Sequence, residues 1–207
     1  MSTASVVIDK YERRKIESRE RIKASAIKLF SQNGIEGTTV AAIIREAGIA
    51  HKTFFNHFPS KNHLLQGIAE DVTEVAYDIF SEADKHDLEP YEEIRFAFIK
   101  IAKGMSEFAP GQKELVQYCL IGLPVGPNDM KAKQAVKLRS AIGKILREAK
   151  KKGQLSKEFP YEVLLDITLG IFTSTLTHWA MQDGFPLVSK VRQAVKFIQH
   201  TIFEVYE

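Results

Sequence analysis

Residues 38–65, TTVAAIIREAGIAHKTFFNHFPSKNHLL, set two short helical patterns either side of Ala47, Gly48 and Ile49, followed by a fresh start at Pro59 and Ser60. This is the pattern of a helix-turn-helix, a unit that lays its second helix in the DNA major groove. Thr38 or Thr39 supplies a capping hydroxyl, after which Val40, Ile43, Ile44 and Ala47 recur at helical spacing. Gly48 supplies the break, being the residue best able to take the positive φ that ends a helix and turns the chain sharply. The second helix, roughly Ala50 to Phe58, is too short to be stable alone and must be held by its neighbours.

Within that second helix, Thr53, Phe54 and Phe58 form an inner edge, with Phe54 and Phe58, four apart, as the expected anchors. His51, Lys52, Phe55, Asn56 and His57 fall on the outer edge. His51, Lys52 and Asn56 suit base edges and phosphates, and Asn pairs bidentately with adenine. A polar, solvated helix face is the plainer reading of such an edge in isolation; the flanking pattern favours a nucleic-acid interface. Charge agrees with it. Residues 1–65 carry 11 Lys+Arg against 6 Asp+Glu, net +5, whereas residues 66–207 carry 18 against 20, net −2, which sums to the +3 of the whole chain.

Residues 19–65 resemble the DNA-binding domain of the tetracycline-repressor (TetR) family of bacterial transcriptional regulators. The resemblance rests on Arg21, Ile22, Ala26, Leu29, Phe30, Gly34, Thr38, Thr39, Val40, Ile43, Ala47, Gly48, Ile49, Thr53, Phe55, His57, Phe58, Lys61, Leu64 and Leu65. It implies that Thr39 starts the first helix of the motif near a phosphate, and that His51, Lys52 and Asn56 meet bases or nearby backbone. It implies that Thr53, Phe55, His57 and Lys61 grip the phosphate backbone, contacts that fix register without reading sequence. Two positions depart from the family pattern: Phe55 stands where Tyr is usual, and Ala50 where a capping Ser is frequent.

The rest of the chain reads as helices. Residues 1–15 are polar, without periodicity, and end in Arg13, Arg14 and Lys15; they are read as a flexible basic arm, reaching into a minor groove or merely solvated. Ile22, Ala26, Leu29 and Phe30 define a first amphipathic helix that Asn33 and Gly34 end. A long helix from Ser60 to about Ala83 links two domains, 16–65 and 66–207. Pro90 opens a segment with Ile94, Phe98, Ile101 and Met105 on one face, closed by Pro110 and Gly111, and a short helix follows around Leu115 to Leu123. Gly122, Pro124, Gly126 and Pro127 mark a loop.

Residues 131–152 hold nine Lys+Arg and one Glu, with Lys133, Lys137, Lys144 and Lys151 opposite Leu138, Ile142, Ile145 and Ala149. This is either a second surface for an acidic partner or a solvated face. Residues 160–181 are apolar nearly all round, and 187–206 repeat Leu187, Val191, Ala194, Val195, Ile198 and Ile202. One monomer has difficulty covering both. The family resemblance implies that they pair with their symmetry mates in a four-helix bundle, where Gly170 and Ser174 allow close approach.

The expected fold is therefore all-α: a three-helix helix-turn-helix domain, then a larger helical regulatory and dimerisation domain, about nine helices in all. No motif for a catalytic serine, a phosphate loop, a dinucleotide fold or a zinc protease occurs, so no enzyme, cofactor or metal site is expected. His178, beside Trp179, reads as a core or pocket histidine. The single Cys119 precludes an intrachain disulfide, and no apolar run is long enough to span a membrane, which together suggest the cytoplasm. The expected function is a homodimeric repressor, dimerised through residues 160–206 and released from a palindromic double-stranded DNA operator by a small, largely apolar effector. Phe96, Phe98, Phe108, Tyr118, Phe172 and Trp179 are its candidate ligand residues, though core packing explains each as well. The alternative is a helical ligand-binding or interaction protein with a vestigial motif.

Overall fold

A computed structural model describes residues 10–108, 110–120 and 130–204. The chain runs α1 (Lys10–Asn33), α2 (Val40–Ala47), α3 (His51–His57), α4 (Lys61–Ala83), α5 (Pro90–Ser106), α6 (Pro110–Leu120), α7 (Met130–Lys151), α8 (Tyr161–Met181) and α9 (Leu187–Ile202), with a 3-10 turn, Asp84–His86, after α4. Among the described residues the β-type pairing is one isolated bridge, Leu155 to Phe203, so the fold is all-α. The first part of the expected basic arm, the loop around Pro124 and the side chains of Cys119 and Lys133 lie outside the described residues.

Two element boundaries differ from expectation for physical reasons. Helix α1 begins at Lys10, so residues 10–15 are its first turns and not part of a loose arm. They show no apolar periodicity because side chains from Tyr11 to Glu17 are exposed, and the ion pairs available to them are local, Lys15 with Glu12 and Arg13 with Glu17. Pro110, expected to close α5, opens α6. A proline has no N–H to give, and the first turn of a helix is where none is required.

The chain forms two compact units, one comprising residues through Ile68 with Pro110–Gln112, the other Ala69–Ala109 and Lys113 onward. In the first, the apolar stripes of α1 to α4 bury Ile22, Ala26, Phe30, Ile43, Phe54, Phe58, Leu64 and Ile68. In the second, α5 packs on α9 and α7, and α8 on α9 and α7. At its centre Phe98 of α5 stacks on Phe172 of α8, ring centroids 3.9 Å apart, and Phe80 meets Phe98 edge-on at 6.1 Å. Ile94, Ile142, Leu146, Leu164, Val191 and Ile198 close around them. The chain end past α9 is tied back: Ser156 donates its N–H to the Ile202 carbonyl at 2.9 Å, and Glu204 donates to that of Gln154 at 2.8 Å.

The single chain leaves part of α8 and α9 uncovered. Val163, Met181 (68% exposed) and Phe197 (51% exposed) face outward, Gly170 and Ser174 are exposed between them on α8, and a Cβ at Gly170 would meet open space.

The stacked aromatic pair makes a testable statement about the second unit. Phe172→Ala removes a fully enclosed ring and its partner's stacking face, and is expected to cost about 3–5 kcal/mol. A shift of the urea midpoint at unchanged slope measures it.

Candidate DNA interface

The turn between α2 and α3 is fixed by backbone chemistry. Thr39 caps α2, its Oγ1 accepting the Ala42 N–H at 3.1 Å, while the adjacent Thr38 is buried and donates its hydroxyl to the Gly34 carbonyl at 2.8 Å. At the other end Gly48 takes φ 60° and donates its N–H to Arg45 (3.2 Å), and Ile49 donates to Ile44 (3.3 Å). A side chain at residue 48 would be strained by that φ, which is why the position requires glycine. Ala50 caps α3 through its backbone carbonyl alone, accepting from Thr53 (2.9 Å) and Phe54 (3.3 Å).

On α3 the two anchors behave as their spacing predicts: Phe54 and Phe58 are fully buried, ring centroids 6.1 Å apart. His51, Lys52 and Asn56 are exposed, and Thr53 is half-buried. Phe55 is 40% exposed and lies between the His51 ring (4.6 Å) and the edge of Phe54 (5.2 Å), a flat apolar surface beside the polar groups. No carboxylate occurs from Ala47 to Ala69, a stretch that carries Lys52, Lys61 and three histidines. Such a rim suits a polyanion.

The remaining site residues have protein partners that the pattern did not disclose. The partly buried His57 ring places Nε2 2.7 Å from Ser18 Oγ of α1, and Arg19 lays its guanidinium 4.4 Å over the Phe58 ring while donating to the His57 carbonyl at 3.5 Å. Burial, then the cations Arg19 and Lys15, hold the His57 pKa below its ordinary value. Lys61 donates its ammonium to the carbonyls of Ile35 (2.8 Å) and Thr38 (3.2 Å), which joins the start of α4 to the α1–α2 connection. Lys61 is therefore a structural tie, with at most one N–H left for a phosphate. Neither Ser18 nor Arg19 is among the residues that carry the motif's pattern, so no spacing pointed to them.

The six aromatics considered for a ligand do not form one group. Phe98 and Phe172 stack in the core, and Trp179 is buried with Phe108 6.3 Å away and the Lys113 ammonium 5.4 Å above its ring. Tyr118 is half-buried. Phe96 sits apart, against His86 and beneath Lys100. His178 is exposed and so is not a core histidine; its ring is hydrogen-bonded to the Ser174 carbonyl at 2.9 Å and stacked on Phe185.

Along α7 and just past its end, five of the basic residues are paired within the chain. Lys137 pairs with Glu74, Arg139 with Glu162 and Asp166, Lys144 with Asp84, Lys151 with Glu148 and Lys152 with Glu89.

A helix-turn-helix with an exposed, carboxylate-free second helix is the DNA-binding element of a transcriptional regulator. Residues 22–68 match the model of the family described as bacterial regulatory proteins, tetR family. It is 27% identical over 162 residues to the HTH-type transcriptional regulator UidR of Escherichia coli K12, covering 74% of this chain and 79% of UidR. Among solved structures it resembles the transcriptional regulator FadR of Bacillus subtilis, solved in complex with stearoyl-CoA, at TM-score 0.75 and 17% identity over 86% of this chain and 96% of FadR. It also resembles SmeT, the repressor of the Stenotrophomonas maltophilia multidrug efflux pump SmeDEF, at TM-score 0.74 and 20% identity over 90% of each chain. Among the described residues no helix is long and apolar enough to cross a membrane.

Two measurements on the free protein follow. Lys61→Ala removes two charge-assisted bonds to backbone carbonyls and is expected to cost about 1.5–3 kcal/mol; an unchanged melting temperature without DNA would show that they hold nothing. For His57 the folded pKa lies below the unfolded one, so between the two the unfolded chain binds more protons. Its contribution is complete above about pH 6.5 and is lost as pH falls below that value. Melting temperature is therefore expected to drop on acidification, and less steeply in His57→Gln.

Proposed function

We propose that the protein is a homodimeric repressor that binds a palindromic operator through α3 and releases it when a small, largely apolar ligand binds the C-terminal unit. The carrying observation is the exposed edge of α3, with His51, Lys52 and Asn56 in a stretch, Ala47 to Ala69, that holds no carboxylate, on a helix whose inner face is locked. In this reading Asn56, His51 and Lys52 address base edges and adjacent backbone, and Thr39, Thr53, Phe55, His57 and Lys61 line the phosphates, Phe55 by apolar contact with sugar or thymine methyl. Residues 16–65 act as the DNA-binding domain and 66–207 as the regulatory one, in the cytoplasm. The uncovered face of α8 and α9, with Val163, Met181 and Phe197 around Gly170 and Ser174, supports self-association through residues 160–206.

Release follows from linkage: a ligand weakens DNA binding only by its differential affinity for the two domain arrangements. Phe96, Phe98, Phe108, Tyr118, Phe172 and Trp179 are the aromatic candidates for its contacts. The likeness to FadR, solved with stearoyl-CoA, makes a long-chain acyl thioester a reasonable first ligand to assay.

Footprinting on the DNA upstream of its own gene tests the reading. A protected pair of half-sites about 34–36 Å apart is expected, with affinity lost when half a helical turn is inserted between them. Affinity indifferent to spacing sinks the dimeric reading, and no protection at any site favours a non-DNA-binding interaction protein. Asn56→Ala is expected to relax preference at one position per half-site at a cost of about 1–3 kcal/mol, measured across operators substituted one base pair at a time.

A further inference from the structure

The joint between α1 and α3 contains more chemistry than a phosphate contact needs. Ser18 Oγ donates its one proton to the Lys15 carbonyl at 2.9 Å, so in the 2.7 Å contact with His57 it must be the acceptor and the imidazole Nε2–H the donor. That assigns the neutral tautomer: Nε2 carries the hydrogen and Nδ1 holds the lone pair. Among the described residues Nδ1 has no protein hydrogen-bond partner. The ring cannot titrate at Nε2 without losing Ser18, but it can accept a proton at Nδ1 and keep it.

We propose that His57 is a proton-linked contact to DNA: duplex binding draws one proton from solvent onto Nδ1, which then donates to a phosphate oxygen, with Ser18 as the residue that positions the ring. The proposal rests on the DNA-binding reading above.

The surroundings explain why the proton is absent from the free protein and present in the complex. From α1, Lys15 and Arg19 act on the ring, and both are cations. The carboxylates of this part of α1 pair with its own cations, Glu12 with Lys15, Glu17 with Arg13 and Glu20 with Lys23, and on α2 Glu46 holds Lys28. From α3 and the first turn of α4 the titratable groups are His51, Lys52, Lys61 and His63, again without a carboxylate. Burial and two cations oppose a third charge at His57. A phosphodiester supplies the missing anion, and an opposite charge at hydrogen-bond distance favours the charged form. Acid is thus expected to loosen the free domain and to tighten the complex, two effects of opposite sign from one ring.

Because phosphate contacts do not depend on sequence, a mixed-sequence duplex of roughly two helical turns at low salt serves as the probe. The His57 ring, assigned by its absence in His57→Gln, is titrated by NMR in the full chain with and without duplex, and duplex affinity is measured at about pH 7.5 and about pH 5.5, either side of histidine's ordinary value. The expected result is a higher titration midpoint for the ring in the complex. Wild-type affinity should also gain roughly tenfold more on acidification than His57→Gln does, the equivalent of one pKa unit. Ser18→Ala should lose most of that extra gain while remaining folded. A ring that titrates at the same pH with and without bound duplex overturns the proposal and leaves the DNA-binding reading intact, as does an equal pH response in wild type and His57→Gln. No binding to this duplex or to the upstream DNA at either pH removes both.

Discussion

A helix of seven residues has no stability of its own, and everything this protein presents to DNA depends on how α3 is held. The hold is apolar and aromatic: Phe54 and Phe58 are enclosed by the core of the N-terminal unit, Arg19 lies over the Phe58 ring, and Gly67 of α4 approaches so closely that a Cβ there would sit 3.1 Å from the same ring. With the inner edge fixed, the outer edge has a defined direction, and His51, Lys52 and Asn56 are carried on a rigid element despite its shortness. Side-chain burial supplies what hydrogen bonding along so short a helix does not.

Around that apolar anchor the polar ties act as guides. Gly48 sets the angle between α2 and α3, Lys61 stitches the start of α4 to the carbonyls of Ile35 and Thr38, and Ser18 fixes the His57 ring to α1. The ties of Lys61 and Ser18 bridge elements far apart in the chain, so each constrains the rotation of one helix against another more than it stabilises either. A cation placed on backbone carbonyls, like Lys61, has less left to offer a phosphate. Of the residues grouped as phosphate-facing, therefore, Thr53 and the Phe55 ring have side chains that no hydrogen bond among the described residues engages, and His57 is engaged at Nε2 alone.

The division between what sequence disclosed and what it did not follows the range of the interactions. Helix periodicity, the Gly48 break, the Thr39 cap and the Phe54 and Phe58 anchors are local, four residues or fewer in reach, and were legible. The start of α1 was not, because its first turns carry no buried stripe to announce them. Ser18, Arg19 and the carbonyl ties of Lys61 span more than twenty residues, and no spacing rule encodes such partners. The placing of the aromatics of the C-terminal unit was not legible for a related reason: residues two apart on α5, such as Phe96 and Phe98, point to opposite sides, and only the packing of α8 decides which one joins Phe172.

Charge follows the same logic of range. The nine cations of residues 131–152 make α7 the most basic segment of the chain, yet the pairs made by Lys137, Arg139, Lys144, Lys151 and Lys152 return much of that charge to neighbouring carboxylates. Exposed pairs of this kind add little stability, but they cancel the field that a bare basic helix would project. Between Ala47 and Ala69 no carboxylate exists to do the same. A count of basic residues alone points to α7, whereas the stretch without a carboxylate is the one around α3, where the motif is.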